Sequence, residues 1–309
     1  MGHKMDFETF RQEMRKLVEE SLQGKGDYSF SWYTANKNNI TKTGLMISEK
    51  GKPVSLTVYF EQSYQEYLGG RPLSDISKEI IELSVERGYP DISMMQLKDY
   101  GKMKEKLRVR LVGKERNEAY LEEGPYQVHP MGAEIVYVEL QRTKEGAMGM
   151  HVTHQNLREW GVSTSEIFEA ALENSQREES VSFRSMTAEV ASILGTEAPE
   201  EGTLNKKELH VLSNQSRDHG AAVLLYPGVL EEVHRKMEGD YYILPSSVHE
   251  VLVLSKESGF TPAELRKMVM EVNREQVVPE ERLGNEVYEF QGETGILQKC
   301  KITEKERTR

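Results

Sequence analysis

The sequence predicts an α+β fold of two subdomains, each a mostly antiparallel sheet packed with helices, and three observations carry that prediction. β-rich runs often follow one another within ten residues, separated by turns or single helices, which suits antiparallel pairing better than a doubly wound parallel sheet. The chain has 309 residues, about twice a usual domain. Hydrophobic residues at 37% and charged residues at 29% allow a real core and are too balanced for a disordered chain. The subdomains are expected at 1–145 and 146–292, with a charged, frayed tail at 293–309. No period of 20 to 50 residues is visible, so repeat architectures drop out.

The first helix follows from Phe7, Phe10, Met14, Leu17 and Val18, one apolar stripe at helical spacing that ends near Gly24. Tyr28, Phe30 and Trp32 then alternate with Ser29 and Ser31, and the runs GLMI (44–47) and VSLTVYF (54–60) complete a small sheet. A second helix is predicted from Leu73, with Ile76, Ile80 and Leu83 on one face and Gly88 as its stop. Strands are predicted at 107–112 and 134–140. Ser163 and Glu166 have capping-box spacing for a helix reaching Asn174, and another helix is predicted at 184–194. After a Glu/Pro/Gly link at 196–202 come strands LHVLS and AAVLLY, then a helix carrying Val229, Leu230, Val233 and Met237, then strands YYIL and VLVLS. Thr261, Pro262 and Glu264 open a last helix, whose Leu265, Met268, Val269 and Val272 are expected to face the core.

Composition narrows function more than it assigns it. No run approaches a membrane span, and the start, MGHKMDFETFRQEM, lacks the apolar stretch of a signal peptide, so a cytoplasmic protein with no membrane partner is expected. Cys300 alone cannot form an intrachain disulfide, a thiolate zinc site or an iron-sulfur cluster. Neither Gly-rich phosphate cradle occurs, and no cofactor or metal is expected. The net charge of -11 argues against a surface wholly devoted to polyanions. It is unevenly spread: residues 1–150 carry -1 and residues 151–309 carry -10.

Four places hold residues that could do chemistry. The first is PSSVHE, where Ser246, Ser247, His249 and Glu250 sit at a turn between two predicted strands. A serine nucleophile would need His249 as base and a carboxylate, Glu250 or Asp218, to orient it. The plainer reading is a Pro-Ser turn whose hydroxyls bond backbone amides. His210, Asp218 and His219 flank predicted strands and would approach His249 if those strands pair. The second is His151 and His154, whose spacing suits a metal only if a third ligand joins them; a strand end entering a helix is the plainer reading. His129 and His234 have no neighbours in sequence that raise them further. The third is Trp32 and Tyr33 with Asn38 and Asn39, either a stacking surface or an aromatic core face beside an Asn-rich hairpin. The fourth is the basic stretch 98–116, of local charge +5, in which Arg108 and Arg110 share the outer face of a strand. It suits a phosphate stripe or a solvated edge strand.

Several strings together resemble a known family: KNNITKTGLMI with VSLTVYFEQSYQEY, NLREWGVSTSEIFEAALENS, GAAVLLYPGVLEEV, DYYILPSSVHEVLVL and ELRKMVMEVNREQVVPEERLGNEVYEF. Over residues 6–292 the chain resembles the domain-of-unknown-function family numbered 5688, and the order of motifs in its second half is similar to family 1444. The resemblance implies a bacterial, cytoplasmic protein, often among the accessory genes of mobile elements, with no established reaction and no catalytic residues to transfer. The chain departs from the expected pattern at 124–134, where GPYQVHPMGAE replaces a Pro-Arg-Arg-Phe-x-Asp-Leu-like segment and Glu134 sits one place along. The expectation is an accessory or binding protein for an unknown protein or peptide partner, with a groove lined by the PSSVHE turn. The alternatives are a serine hydrolase at that turn, or nucleic-acid binding through the first half.

Overall fold

The computed structural model describes residues 4–82, 92–143, 146–197 and 205–302. The chain forms two compact units, residues 1–37 with 41–99 and residues 38–40 with 100–309. The division thus falls near residue 99, whereas strands on either side of residue 145 pair with each other, as set out below. In each unit helices pack with antiparallel strands, giving the α+β class.

In the first unit, helix α1 (Phe7–Leu22) starts where the Asp6 carboxylate accepts the Thr9 amide at 2.8 Å. Its Phe10, Met14, Val18 and Leu22 recur every three or four residues and are all buried. They pack on Leu45 and Ile47 of β2 (Ile40–Glu49), Phe60, and Ile76 and Ile80 of α3 (Leu73–Ile81). Strands β1 (Tyr28–Lys37), β2 and β3 (Leu56–Val58) form the sheet in that order, and α2 (Glu61–Leu68) follows it. A short helix, α4 (Met94–Leu97), carries a capping box between Ser93 and Gln96. Leu83 and Gly88, the expected continuation and stop of α3, lie outside the described residues.

The second unit holds two sheets. After α5 (Tyr100–Lys104), strand β4 (Leu107–Val112) and, beyond α6 (Glu118–Glu122), strand β5 (Tyr126–His129) both pair antiparallel with the long β6 (Gly132–Thr143). Strand β7 (Gly146–His151) also pairs with β6, with a bulge between Glu139 and Gln141. Helix α7 (His154–Trp160) leads into α8 (Thr164–Glu178), which opens on the Ser163–Glu166 capping box. It is tied to β4: the Ser175 hydroxyl accepts the Val109 amide at 3.0 Å and the Asn174 amide donates to the Leu107 carbonyl.

The second sheet contains β8 (Val181–Ser185), β9 (His210–Asn214), β10 (Tyr241–Pro245), β11 (Val251–Ser255), β12 (Tyr288–Gln291) and β13 (Ile296–Lys299). Their spatial order is β13-β12-β10-β11-β9-β8, and every pairing is antiparallel. Helices α9 (Met186–Leu194), α10 (Val229–Lys236) and α11 (Pro262–Glu275) join them.

Three expectations are corrected here. The run AAVLLY is no strand: Gly220–Leu225 forms a 3-10 helix, because a short apolar run is compatible with either state and backbone geometry decides it. On α11, Leu265 and Val269 are buried but Met268 and Val272 are exposed; the third inward residue is Asn273, whose amide donates to the Gly284 carbonyl at 2.7 Å. The stretch after Glu293 is not frayed as far as residue 302, since β13 pairs with β12 and Cys300 is buried, its amide donating to the Val287 carbonyl. Burial pushes that thiol up to about 12, so it stays protonated and unreactive at neutral pH.

Candidate functional site

Strand β9 ends at Asn214, and the chain turns back through 215–219 with Arg217 and His219 in the left-handed backbone region, φ 60° and 52°. Such angles are uncommon for non-glycine residues and are held here by the surroundings. The Asn214 side chain donates to the Asp218 carbonyl at 2.8 Å, closing the turn. Next comes Gly220, where a Cβ would lie 2.0 Å from the Ser213 hydroxyl, 2.5 Å from the His249 carbonyl and 2.7 Å from the Asn214 nitrogen. Only glycine lets the 218–220 segment lie this close to β9 and to the turn before β11.

That second turn is PSSVHE. The register of β9 and β11 pairs Leu212 with Val251, which places His249 beside the 218–220 segment. The Ser213 hydroxyl donates to the His249 carbonyl at 2.7 Å, and the Ala221 amide donates to Val248. Between these bonds the His219 amide donates to His249 Nδ1 at 3.1 Å, and the two imidazoles meet edge to face with centroids 5.2 Å apart. Strand pairing therefore brings together Asp218, His219 and His249, three half-buried groups.

Asp218 Oδ1 and His219 Nδ1 are 2.6 Å apart. Burial opposes ionisation of Asp218, but the His219 bond and the nearby Arg110 and Arg142 outweigh it and hold the carboxyl down at about 2. Burial, and then the Arg110 charge, push His219 down to about 4. At neutral pH the pair is therefore a carboxylate beside a neutral imidazole. Around it, Arg142 is gripped by Glu139 at 2.6 Å and Glu179 at 3.3 Å and lies 3.8 Å from Asp218. Arg217 pairs with Glu189 and, at 3.5 Å, with Glu250. His249 Nε2 is 3.7 Å from Glu281.

The serines at this turn are used differently. Ser247 is buried; its hydroxyl accepts the His249 amide at 3.0 Å and its own amide donates to the Glu250 carbonyl. Among the described residues, neither Ser246 nor Ser247 has its oxygen in a hydrogen bond with an imidazole nitrogen. The turn is also no wall of the groove along α11, a volume of about 1180 Å³ lined by Arg266, Lys267, Met270, Arg274, Arg282 and Ile302 among others.

Arg108 and Arg110 do not stand on a freely solvated face. β4 is an edge strand, yet the Arg110 guanidinium lies 3.4 Å from the centroid of the Tyr137 ring, and Arg108 donates to the Glu105 and Leu107 carbonyls. Gly149 permits this placement of Tyr137, since a Cβ there would meet the ring at 2.5 Å. In the first unit, Trp32 packs on the core beside Phe60, with Arg11 4.3 Å over its ring, while Tyr33 is exposed. Asn38 and Asn39 bond within the second unit. The Asn38 amide donates to the Glu280 and Arg282 carbonyls, and its oxygen accepts from Gly113 and Asn117. Asn39, at φ 63°, donates to Asn117 and to the Arg282 carbonyl.

His151 packs on Tyr120 at 4.8 Å and His154 is the exposed first residue of α7. His210 stacks on Phe183 at the far end of β9 from His249. His234 lies 3.3 Å from Asp240. Burial pushes His129 down to about 4, and burial also raises Glu134, to about 7. Sequence reasoning had no means of finding Arg142 beside Asp218 or Glu281 beside His249, because they come from strands and turns far away in the chain. The adjacent string Asp218-His219-Gly220 is the one local signal.

No helix among the described residues is long and apolar enough to cross a membrane. No curated protein and no solved structure matches the chain. Nothing in these comparisons supports the resemblance to family 1444. A family model described as a family of unknown function (DUF5688) matches residues 7–292, nearly the whole chain, and the protein belongs to that family.

Proposed function

We propose that the second unit is a binding module that recognises a protein or peptide partner through the cluster of Asp218, His219, His249 and Glu250. One observation carries the reading: two imidazoles and a carboxylate from separate turns are held together, half-exposed, by backbone hydrogen bonds and by a glycine that has no room to be anything larger. Holding polar groups in fixed geometry at a surface lowers the entropy lost when a partner is bound. The bacterial, cytoplasmic and mobile-element setting comes with the family resemblance and is part of this proposal.

A serine hydrolase at the same turn has less to draw on, since the Ser247 hydroxyl caps its own turn. Nucleic-acid binding through 98–116 has less as well, since Arg110 is engaged with Tyr137. The test is capture of partners by the immobilised full-length chain, by His249→Ala and by Ser247→Ala, each verified as folded. Partners held by the parent and by Ser247→Ala but lost by His249→Ala are the expected result. A folded His249→Ala that keeps every partner contradicts the reading, and loss of ester hydrolysis in Ser247→Ala would establish the hydrolase in its place.

A further inference from the structure

We propose that Asp218, His219 and His249 hold a divalent transition-metal ion of the zinc class. One donor atom from each of the three lies within 4.8 Å of the others. Two imidazoles and one carboxylate form a donor set that suits zinc and leaves a coordination position open to water or to a group from a partner. The donors come from two turns fixed by main-chain bonds: the Ser213 hydroxyl holds the His249 carbonyl and the Ala221 amide holds Val248. A tetrahedral ion with bonds of about 2 Å brings its donors to about 3.3 Å from one another. Reaching that spacing requires side-chain rotation: the wider separations must close, while Asp218 Oδ1 and His219 Nδ1, hydrogen-bonded at 2.6 Å, must part or His219 must ligate through Nε2. His249 Nδ1 accepts the His219 amide at 3.1 Å, which fixes the ring; an ion at this nitrogen takes the lone pair in place of that amide.

The surrounding charges decide whether a cation is tolerated. Arg110, Arg142 and Arg217 approach the cluster, but Arg142 is gripped by Glu139 and Glu179, Arg217 by Glu189 and Glu250, and Glu281 faces His249. Arg110 lies over the Tyr137 ring. With Asp218 itself, carboxylates outnumber guanidinium groups around the cluster, and Arg110 is the charge that opposes a cation at His219. Arg142, 3.8 Å from Asp218 Oδ2, leaves Oδ1 as the oxygen turned to the imidazole. The alternative pair, His151 and His154, forms no such trio among the described residues.

This inference rests on the binding-site reading of the same cluster, so the experiment separates the two. Full-length protein freed of metal with a chelator is titrated with Co2+, then with Zn2+ in competition. One equivalent of Co2+ is expected to give the visible absorption of a four- or five-coordinate site, bleached by one equivalent of Zn2+. Asp218→Asn and His249→Ala are expected to weaken Co2+ at least about tenfold, whereas the exposed His154→Ala leaves it unchanged. The first readout uses the unmodified chain, so a variant that fails to fold does not decide the matter. No Co2+ absorption in the parent, or equal affinity in a folded His249→Ala, overturns the metal site. If partner capture still depends on His249 in that event, the binding-module reading survives without the metal.

Discussion

Gly220 is the residue on which the site turns, and the reason is steric rather than conformational. Two of the three atoms a Cβ would strike, the His249 carbonyl oxygen and the Asn214 nitrogen, are backbone, and the third, the Ser213 hydroxyl, is itself bonded to His249. None is a flexible side-chain end. Gly220→Ala is therefore expected to destabilise the chain by about 2–4 kcal/mol, measured by urea denaturation, and to impair partner capture even where the protein remains folded. An unchanged midpoint would show that the two turns are not packed this closely. Little of this was legible in the sequence. Asp218, His219 and His249 could be named as residues of interest, but their meeting depends on the β9–β11 register, which pairs residues about 40 positions apart and is set by pairing rather than local preference. Asn38 is similar: its four hydrogen bonds reach Gly113, Asn117, Glu280 and Arg282, partners no local pattern announces.

Among the elements, α11 separates what local chemistry announces from what packing decides. Its start was legible, because the Thr261 hydroxyl and the Glu264 carboxylate satisfy amides three residues apart, with Pro262 at the first position. The Ser163–Glu166 box that starts α8 was legible for the same reason. The inward face of α11 was only half legible. An apolar stripe wide enough to include Leu265, Met268, Val269 and Val272 leaves open which side is buried, and Asn273 wins its place by bonding Gly284 and Asn285. Leu265→Ala is thus expected to cost about 2–5 kcal/mol, while Met268→Glu changes stability by no more than about 0.5 kcal/mol. Thermal and urea unfolding of the two variants check the contrast; equal losses would mean the helix is rotated. AAVLLY read as a strand and β13 read as a frayed tail fail for one shared reason. A 3-10 helix and a short edge strand are fixed by what lies beside them, and neither a short apolar run nor a charged one encodes that neighbour.

At the scale of the whole molecule, the α+β class was legible because strand runs separated by short links permit few other arrangements. The placement of the units was not, since residues 38–40 belong with a segment that begins sixty residues later. The acidity is also a property of the whole: the -10 of residues 151–309 belongs to the part of the chain that carries the His249 cluster and suits a cation or a basic partner better than a polyanion. The most direct test of the binding-module account is site-specific photo-crosslinking in cell extract with the full-length chain. One photoreactive residue replaces Ser216, exposed beside the cluster, and in a second protein it replaces Met268, exposed on the outer face of α11. The account predicts a discrete adduct from position 216, abolished by His249→Ala, and none from position 268. Adducts of equal yield from both positions, or an adduct at 216 that persists in His249→Ala, would contradict it.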